Sequence, residues 1–271
     1  MIEFLGAYSA IDHLQAFLLG SARLLMIMNI APFFAGTQIT GQLRFVIMLA
    51  LYIILHPMIV GQLPPWRGLE LMSCIVLGGL FVKEILLGLL LGLLAGMMFW
   101  TIQCAGFFID NQRGAGMAQD TDPVTGEQSS PTGTFLFQSS IYVFFSTGAF
   151  FSFIGVIYAS YEMWPVWQAI PGEVLRRPAL ALFFAGKVGE LALDMMLLSG
   201  PIIVACLLTD MSLGLINRFA SQLNVYVLAM PVKSGLASFL LIFYFSMLMS
   251  GAVSMFDSFG TDLRHLHLIM P

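Results

Sequence analysis

Residues 88–109, GLLLGLLAGMMFWTIQCAGFFI, and residues 132–151, TGTFLFQSSIYVFFSTGAFF, enclose a polar insert from Asp110 to Pro131 that reads DNQRGAGMAQDTDPVTGEQSSP. The insert has too few apolar side chains to build a core, and Gly114, Gly116, Pro123, Gly126 and Pro131 discourage a long helix. Its flanks are so apolar that they must leave water. The insert is therefore either an outside loop or a plug in a wet cavity.

Outside that insert the chain is built for a membrane. Hydrophobic residues make up 59% of the sequence and charged residues 10%, far from the roughly 25% charged of soluble domains. The net charge of -4 is spread out, with no run of Lys or Arg to attract nucleic acid or anionic lipid. Cys74, Cys104 and Cys206 are odd in number and lack C-x-x-C spacing. They predict packed thiols, not a disulfide framework or a metal site. The first positive side chain, Arg23, follows Glu3 and Asp12 and already lies in an apolar run, so the N-terminus is expected to be retained.

Six apolar regions follow: Leu14 to Ala35, Phe45 to Leu63, Leu71 to Phe108, Thr134 to Tyr161, Ala179 to Leu208, and Ser234 to Phe256. Each meets the requirement of about 20 residues per spanning helix, or nearly so. The third would be roughly 57 Å long as one helix, nearly twice the hydrocarbon thickness, so it must fold back, protrude, or break near Gly78-Gly79. The fifth is cut by Gly200-Pro201, which predicts two short helical pieces in a bent or hairpin-like element. Pro32, Pro57, Pro165 and Pro231 predict further kinks. No sheet, internal repeat or long linker is expected. The fold class is all-α, a polytopic integral membrane protein of kinked helices and helical hairpins, forming one domain over residues 1–271.

Glu84, Gly88, Gly92 and Gly96 are spaced by four and form one ridge that admits another backbone closely. Packing within the chain is favoured over a subunit interface. Glu84 needs a partner from another helix, because adjacent Lys83 points about 100° away around the axis. Lys187, Glu190 and Asp194 fall on one stripe and read as the densest buried charge cluster, either a proton relay or a network that fixes helix register. Arg23 and Asp210 are further candidates for pairing across helices. Catalysis finds little support: there is no H-E-x-x-H, no G-x-S-x-G and no P-loop, and His56 reads as a hydrogen-bonded structural residue. No cofactor is implied.

Residues 213–231, LGLINRFASQLNVYVLAMP, carry a recognisable arrangement of apolar and polar positions at Leu213, Gly214, Leu215, Asn217, Arg218, Gln222, Leu223, Val225 and Pro231. It resembles the export-gate family of type III secretion, the SctT/FliR family. The run Asp110-Asn111-Gln112-Arg113-Gly114, followed by Asp122-Pro123, is similar to the SctT (injectisome) branch. The resemblance covers the chain from Arg23 and Pro32 to the last apolar region.

That resemblance implies a bacterial inner-membrane, multi-pass subunit within the secretion-system base. With SctR-like and SctS-like subunits, and an SctU-like switch protein nearby, it would form a gated channel for unfolded substrate proteins. It also implies that Phe107, Phe108, Ile109, Asp110, Asn111, Gln112, Arg113, Gly114, Gly116, Met117, Asp122 and Pro123 contribute to a pore plug, and it adds Arg218 to the intramembrane charges. Irregular polar backbone at membrane depth is tolerated only inside protein or a wet cavity, which suits a plug. The alternative, from another class, is a secondary transporter using Lys187, Glu190 and Asp194 around a helix broken at Pro201.

Overall fold

The computed structural model describes residues 8–35, 39–62, 71–114, 130–169, 178–219 and 225–270. Among the described residues there are eight helices and no strand: α1 Ala10–Ile30, α2 Pro32–Ala35, α3 Gly41–Gln62, α4 Leu71–Arg113, α5 Pro131–Ser146, α6 Ala149–Met163, α7 Pro178–Phe219 and α8 Val225–Ile269. Five of them, α1, α3, α4, α7 and α8, are long and apolar enough to cross a membrane, and α5 with α6 makes a sixth candidate as a bent pair. The six apolar regions of the sequence thus become six candidate crossings of an all-α, multi-pass membrane protein.

Local chemistry sets the helix ends. Ser9 caps α1 in a reciprocal box with Asp12, and Pro32 follows its last turn. Ser130 caps α5, whose first residue is Pro131, where a missing N–H costs nothing. Gly114 and Gly148 end α4 and α5 at φ +83° and +78°, a conformation that Gly adopts without a Cβ penalty.

Of the expected interruptions, the one at Pro32 is found, between α1 and α2, and those at the two glycine-containing pairs are not. No interruption occurs at Gly78-Gly79: α4 runs for 43 residues, roughly 64 Å at the α-helical rise. Gly200-Pro201 does not divide the fifth region either, since α7 runs for 42 residues with Pro201 inside it. Proline removes one hydrogen bond, and in an apolar setting every other main-chain group still gains most by staying helical. Pro57 and Pro231 are likewise inside α3 and α8. The break falls instead in the fourth region, at Thr147-Gly148, between α5 and α6. The polar insert also begins later than its composition suggests, because Asp110 to Arg113 complete the last turn of α4.

The chain divides into two compact units. Residues 1–96, 150–184 and 258–271 form the first, and residues 97–149 and 185–257 the second. In the first, Ala16, Leu19, Leu24, Ile27 and Met28 of α1 are fully buried, as are Met48 and Ile59 of α3 and Leu87 of α4. Gly20 lets α3 approach: a Cβ there would lie 2.5 Å from Ile59 Cδ1 and 2.8 Å from Tyr52 Cε2. In the second unit, Phe99, Phe144 and Phe256 pack with ring centroids 5.1 to 5.3 Å apart, the spacing of mutually favourable aromatic contacts.

Burial is uneven. In α1 and α4, 61% of the most apolar stretch is covered within the chain, against 22% in α7 and α8. Leu182, Leu193, Leu197, Leu208 and Met211 of α7 and Ile242, Phe243 and Met247 of α8 are all more than half exposed. Such surfaces are stable only against lipid or other protein.

Candidate functional site

At the end of α4, in the second unit, Asp110 is 2% exposed. Its Oδ2 accepts the Ser130 hydroxyl at 2.6 Å and the Thr132 main-chain N–H at 2.9 Å. Arg113 Nη2, one turn along the same helix, lies 2.8 Å from Oδ1 and balances the charge. Ser130 Oγ in turn accepts the Gly133 N–H at 2.9 Å. Helix starts leave their first amides without intrahelical partners. In α5 Pro131 has none to satisfy, Thr132 is served by Asp110, and Gly133 by Ser130. The backbones meet here too, since a Cβ on Gly106 would lie 2.6 Å from Gly133 Cα.

Of the residues assigned to a plug, Phe107, Phe108, Ile109, Asp110, Asn111, Gln112 and Arg113 are thus helical, with Ile109 and Asp110 buried, and Gly114 ends the helix. Ile109 packs with Ile202, Cys206 and Ala237. Gly116, Met117, Asp122 and Pro123 lie outside the described residues.

Among the described residues the most buried ions sit in the first unit. Arg23 of α1 makes two parallel bonds to Glu84 of α4, Nε to Oε2 at 2.7 Å and Nη2 to Oε1 at 3.0 Å. Its remaining donors reach Ser160 O at 2.7 Å and Trp164 O at 2.8 Å, and its guanidinium lies 4.1 Å above the Tyr161 ring. Lys83 does not point away from Glu84. Its long stem curls so that Nζ lies 2.7 Å from Glu84 Oε1 and donates to the carbonyls of Pro165, Val166 and Gln168 at 2.9 to 3.0 Å. Two cations therefore share one carboxylate. The surplus charge rests on carbonyl oxygens at and beyond the end of α6, the negative pole of that helix.

Below Glu84 the ridge closes on α1. A Cβ on Gly88 would lie 2.5 Å from Arg23 O and 2.8 Å from Met26 Cβ, and one on Gly92 would lie 2.9 Å from Ile30 Cβ. Gly96 is also buried.

The stripe of Lys187, Glu190 and Asp194 is not a buried cluster. Lys187 pairs with Glu190 at 2.6 Å, but the Glu190 side chain is 62% exposed, and Asp194 is half-buried. Periodicity placed the three on one stripe correctly; it could not say that α7 leaves most of its surface bare. Asp210 pairs with Lys233 of α8 at 3.0 Å, a partner not anticipated from the sequence. Arg218 is exposed in the last turn of α7, where a cation complements the helix dipole.

His56 has two partners. Its Nδ1 lies 2.7 Å from the Tyr52 hydroxyl and its Nε2 lies 3.0 Å from His13 Nδ1. His13 and Tyr52 were not singled out in the sequence, though Tyr52 stands one turn before His56. Of the cysteines Cys206 is buried, Cys104 half-buried and Cys74 exposed, so Cys74 is not a packed thiol within the chain. Among the described residues no group of three His, Cys, Asp or Glu side chains could hold a metal ion.

Comparison with known proteins adds the family. The model for bacterial export proteins, family 1, matches residues 14–259. The chain is 41% identical over 204 residues to the Yop proteins translocation protein T of Yersinia pestis, covering 75% of this chain and 74% of that protein. To the flagellar biosynthetic protein FliR of Bacillus subtilis it is 31% identical over 258 residues, covering 95% and 96%. To the surface presentation of antigens protein SpaR of Salmonella typhimurium it is 29% identical over 245 residues, covering 90% and 88%.

Proposed function

The chain belongs to the bacterial export proteins, family 1, and from that premise we propose that it is a subunit of the inner-membrane export gate of a type III secretion system. With SctR-like and SctS-like subunits, and next to an SctU-like switch protein, it forms a gated channel for unfolded proteins. The polar segment around residues 109–131 contributes to the plug. It acts as a non-enzymatic component.

The observation that carries this reading is the family match, which runs through nearly the whole chain. Higher identity to a translocation protein, 41%, than to a flagellar one, 31%, supports the injectisome branch. The bare apolar faces of α7 and α8 support an assembly, because partner helices and lipid would cover them. The transporter reading loses its broken helix: α7 is continuous through Pro201.

The test is purification of the tagged chain from gently solubilised membranes, followed by conductance of the assembled particle. Two small hydrophobic partners should travel with the chain. Removing residues 115–122 should leave assembly intact and let ions leak through the resting complex. An assembled deletion variant with unchanged conductance would end the plug assignment.

A further inference from the structure

We propose that Asp110 is the positioning residue of the polar segment, a cap supplied from α4 that fixes where α5 begins and thereby brings both ends of the segment to one buried point. The claim deepens the plug reading and, for its effect on leakage, rests on it.

Three independent contacts converge there. Asp110 binds Ser130 and the Thr132 N–H at the start of α5; Gly106 and Gly133 touch backbone to backbone; and Gly114 ends α4 in a left-handed turn with its N–H bonded to Asn111 O at 3.2 Å. The run Asp110-Asn111-Gln112-Arg113-Gly114 thereby acquires a physical reading. Asp110 is the cap, Arg113 at i+3 is its counter-ion, and Gly114 is the stop.

Burial makes the carboxylate necessary. Ser130 satisfies the Gly133 N–H and Pro131 has no N–H, so without Asp110 the Thr132 amide would be a buried donor with no acceptor. An acid at a helix N-terminus also meets the positive pole of that helix. Arg113, 15% exposed, sets its guanidinium against the other carboxylate oxygen and leaves free the one that serves α5.

Hydrogen exchange on the assembled, partner-bound complex tests the tie directly. Asp110→Ala should speed exchange of the Thr132 and Gly133 amides about tenfold or more, as expected for loss of a charge-assisted bond. Protection of the first-unit peptide 150–160 should be unchanged. Asp110→Asn, which keeps an acceptor oxygen, should recover part of the Thr132 protection. Ser130→Ala is the milder variant and should loosen Gly133 more than Thr132; it carries the test if Asp110→Ala fails to assemble. Unchanged exchange at 132–133 in both variants overturns the proposal, and so does uniform acceleration across all helices in both.

Conductance separates the two claims. If removal of residues 115–122 opens a leak and Asp110→Ala does too, the positioning role stands. If the deletion leaks while Asp110→Ala loosens 132–133 without leaking, the positioning role is wrong and the plug reading survives. If the deletion does not leak, the plug reading fails, and exchange alone decides whether Asp110 is the cap.

Discussion

Arg23 and Glu84 meet through two parallel hydrogen bonds of 2.7 and 3.0 Å, and neither side chain is reached by solvent. Removing one partner of such a pair strands the other, which costs about 3–5 kcal/mol, whereas apolar replacement of both is far better tolerated. Arg23→Met and Glu84→Gln should each lower the thermal stability of the purified complex substantially, and the double variant Arg23→Met/Glu84→Met by less than the sum. Arg23→Lys should not rescue, because an ammonium cannot reproduce the forked geometry or serve Ser160 and Trp164 together. Melting curves in detergent decide this; single variants that melt with the parent would contradict it.

Glycines of one helix should differ sharply in tolerance. Gly88 and Gly92 press against α1, and a methyl group at Gly88 would overlap Arg23 O, which is main chain and cannot swing away. Gly78 and Gly79 have nothing within 4 Å of a built Cβ. Gly88→Ala is expected to destabilise, by about 1–3 kcal/mol if it behaves as overpacking. Gly78→Ala and Gly79→Ala should be neutral or stabilising by up to about 1 kcal/mol through helix propensity. Equal behaviour of the two pairs in thermal melts would remove the case for the ridge.

Gly148→Ala should cost roughly 1–2 kcal/mol although its surroundings are open, because φ +78° disfavours any Cβ. Pro201→Ala should be tolerated in both stability and secretion, since α7 already runs through that position as helix. Expression level and melting temperature of the two variants provide the check. A severe Pro201→Ala defect beside a silent Gly148→Ala would reverse the assignment of the break.

Reconstituted alone in liposomes, the chain should move neither solute nor protons, and Glu190→Gln should change nothing. The Lys187–Glu190 pair is a contact within one turn of α7, and that helix runs unbroken through Pro201. Proton flux abolished by Glu190→Gln would restore the transporter reading.

The helical type and the number of candidate crossings were legible in the sequence, because apolar runs of spanning length leave few alternatives to helix. Breaks were not. Gly78-Gly79 and Gly200-Pro201 look like interruptions by composition, yet a helix in apolar surroundings keeps its remaining hydrogen bonds through them. The Ser146-Thr147-Gly148 sequence that does break the chain offers only a modest helix-stop signal. Glu84 was recognisable as needing a partner from elsewhere, and Arg23 as a candidate. The part of Lys83 was hidden, because an angular argument at Cα says little about where a four-carbon stem delivers its charge. Asp110 was visible as the head of a motif, but its work depends on Ser130 and Thr132, twenty or more residues away, and no periodicity links them.

The ammonium of Lys83 and the guanidinium of Arg23 are neutralised partly by main-chain oxygens of Ser160, Trp164, Pro165, Val166 and Gln168. Oxygens of that kind come with any amino acid. Exposed Glu162 and Gln168 are consequently free to drift in side-chain identity so long as the trace is preserved, whereas Ser160, Tyr161, Trp164 and Val166 are buried, Tyr161 beneath the Arg23 guanidinium and with its hydroxyl on Gly20 O, and Trp164 with its indole on Met270 O. A transplant of this corner that keeps those buried side chains should be accepted, whereas adding or deleting a single residue there would draw the carbonyl oxygens away and leave Arg23 and Lys83 to share Glu84 alone.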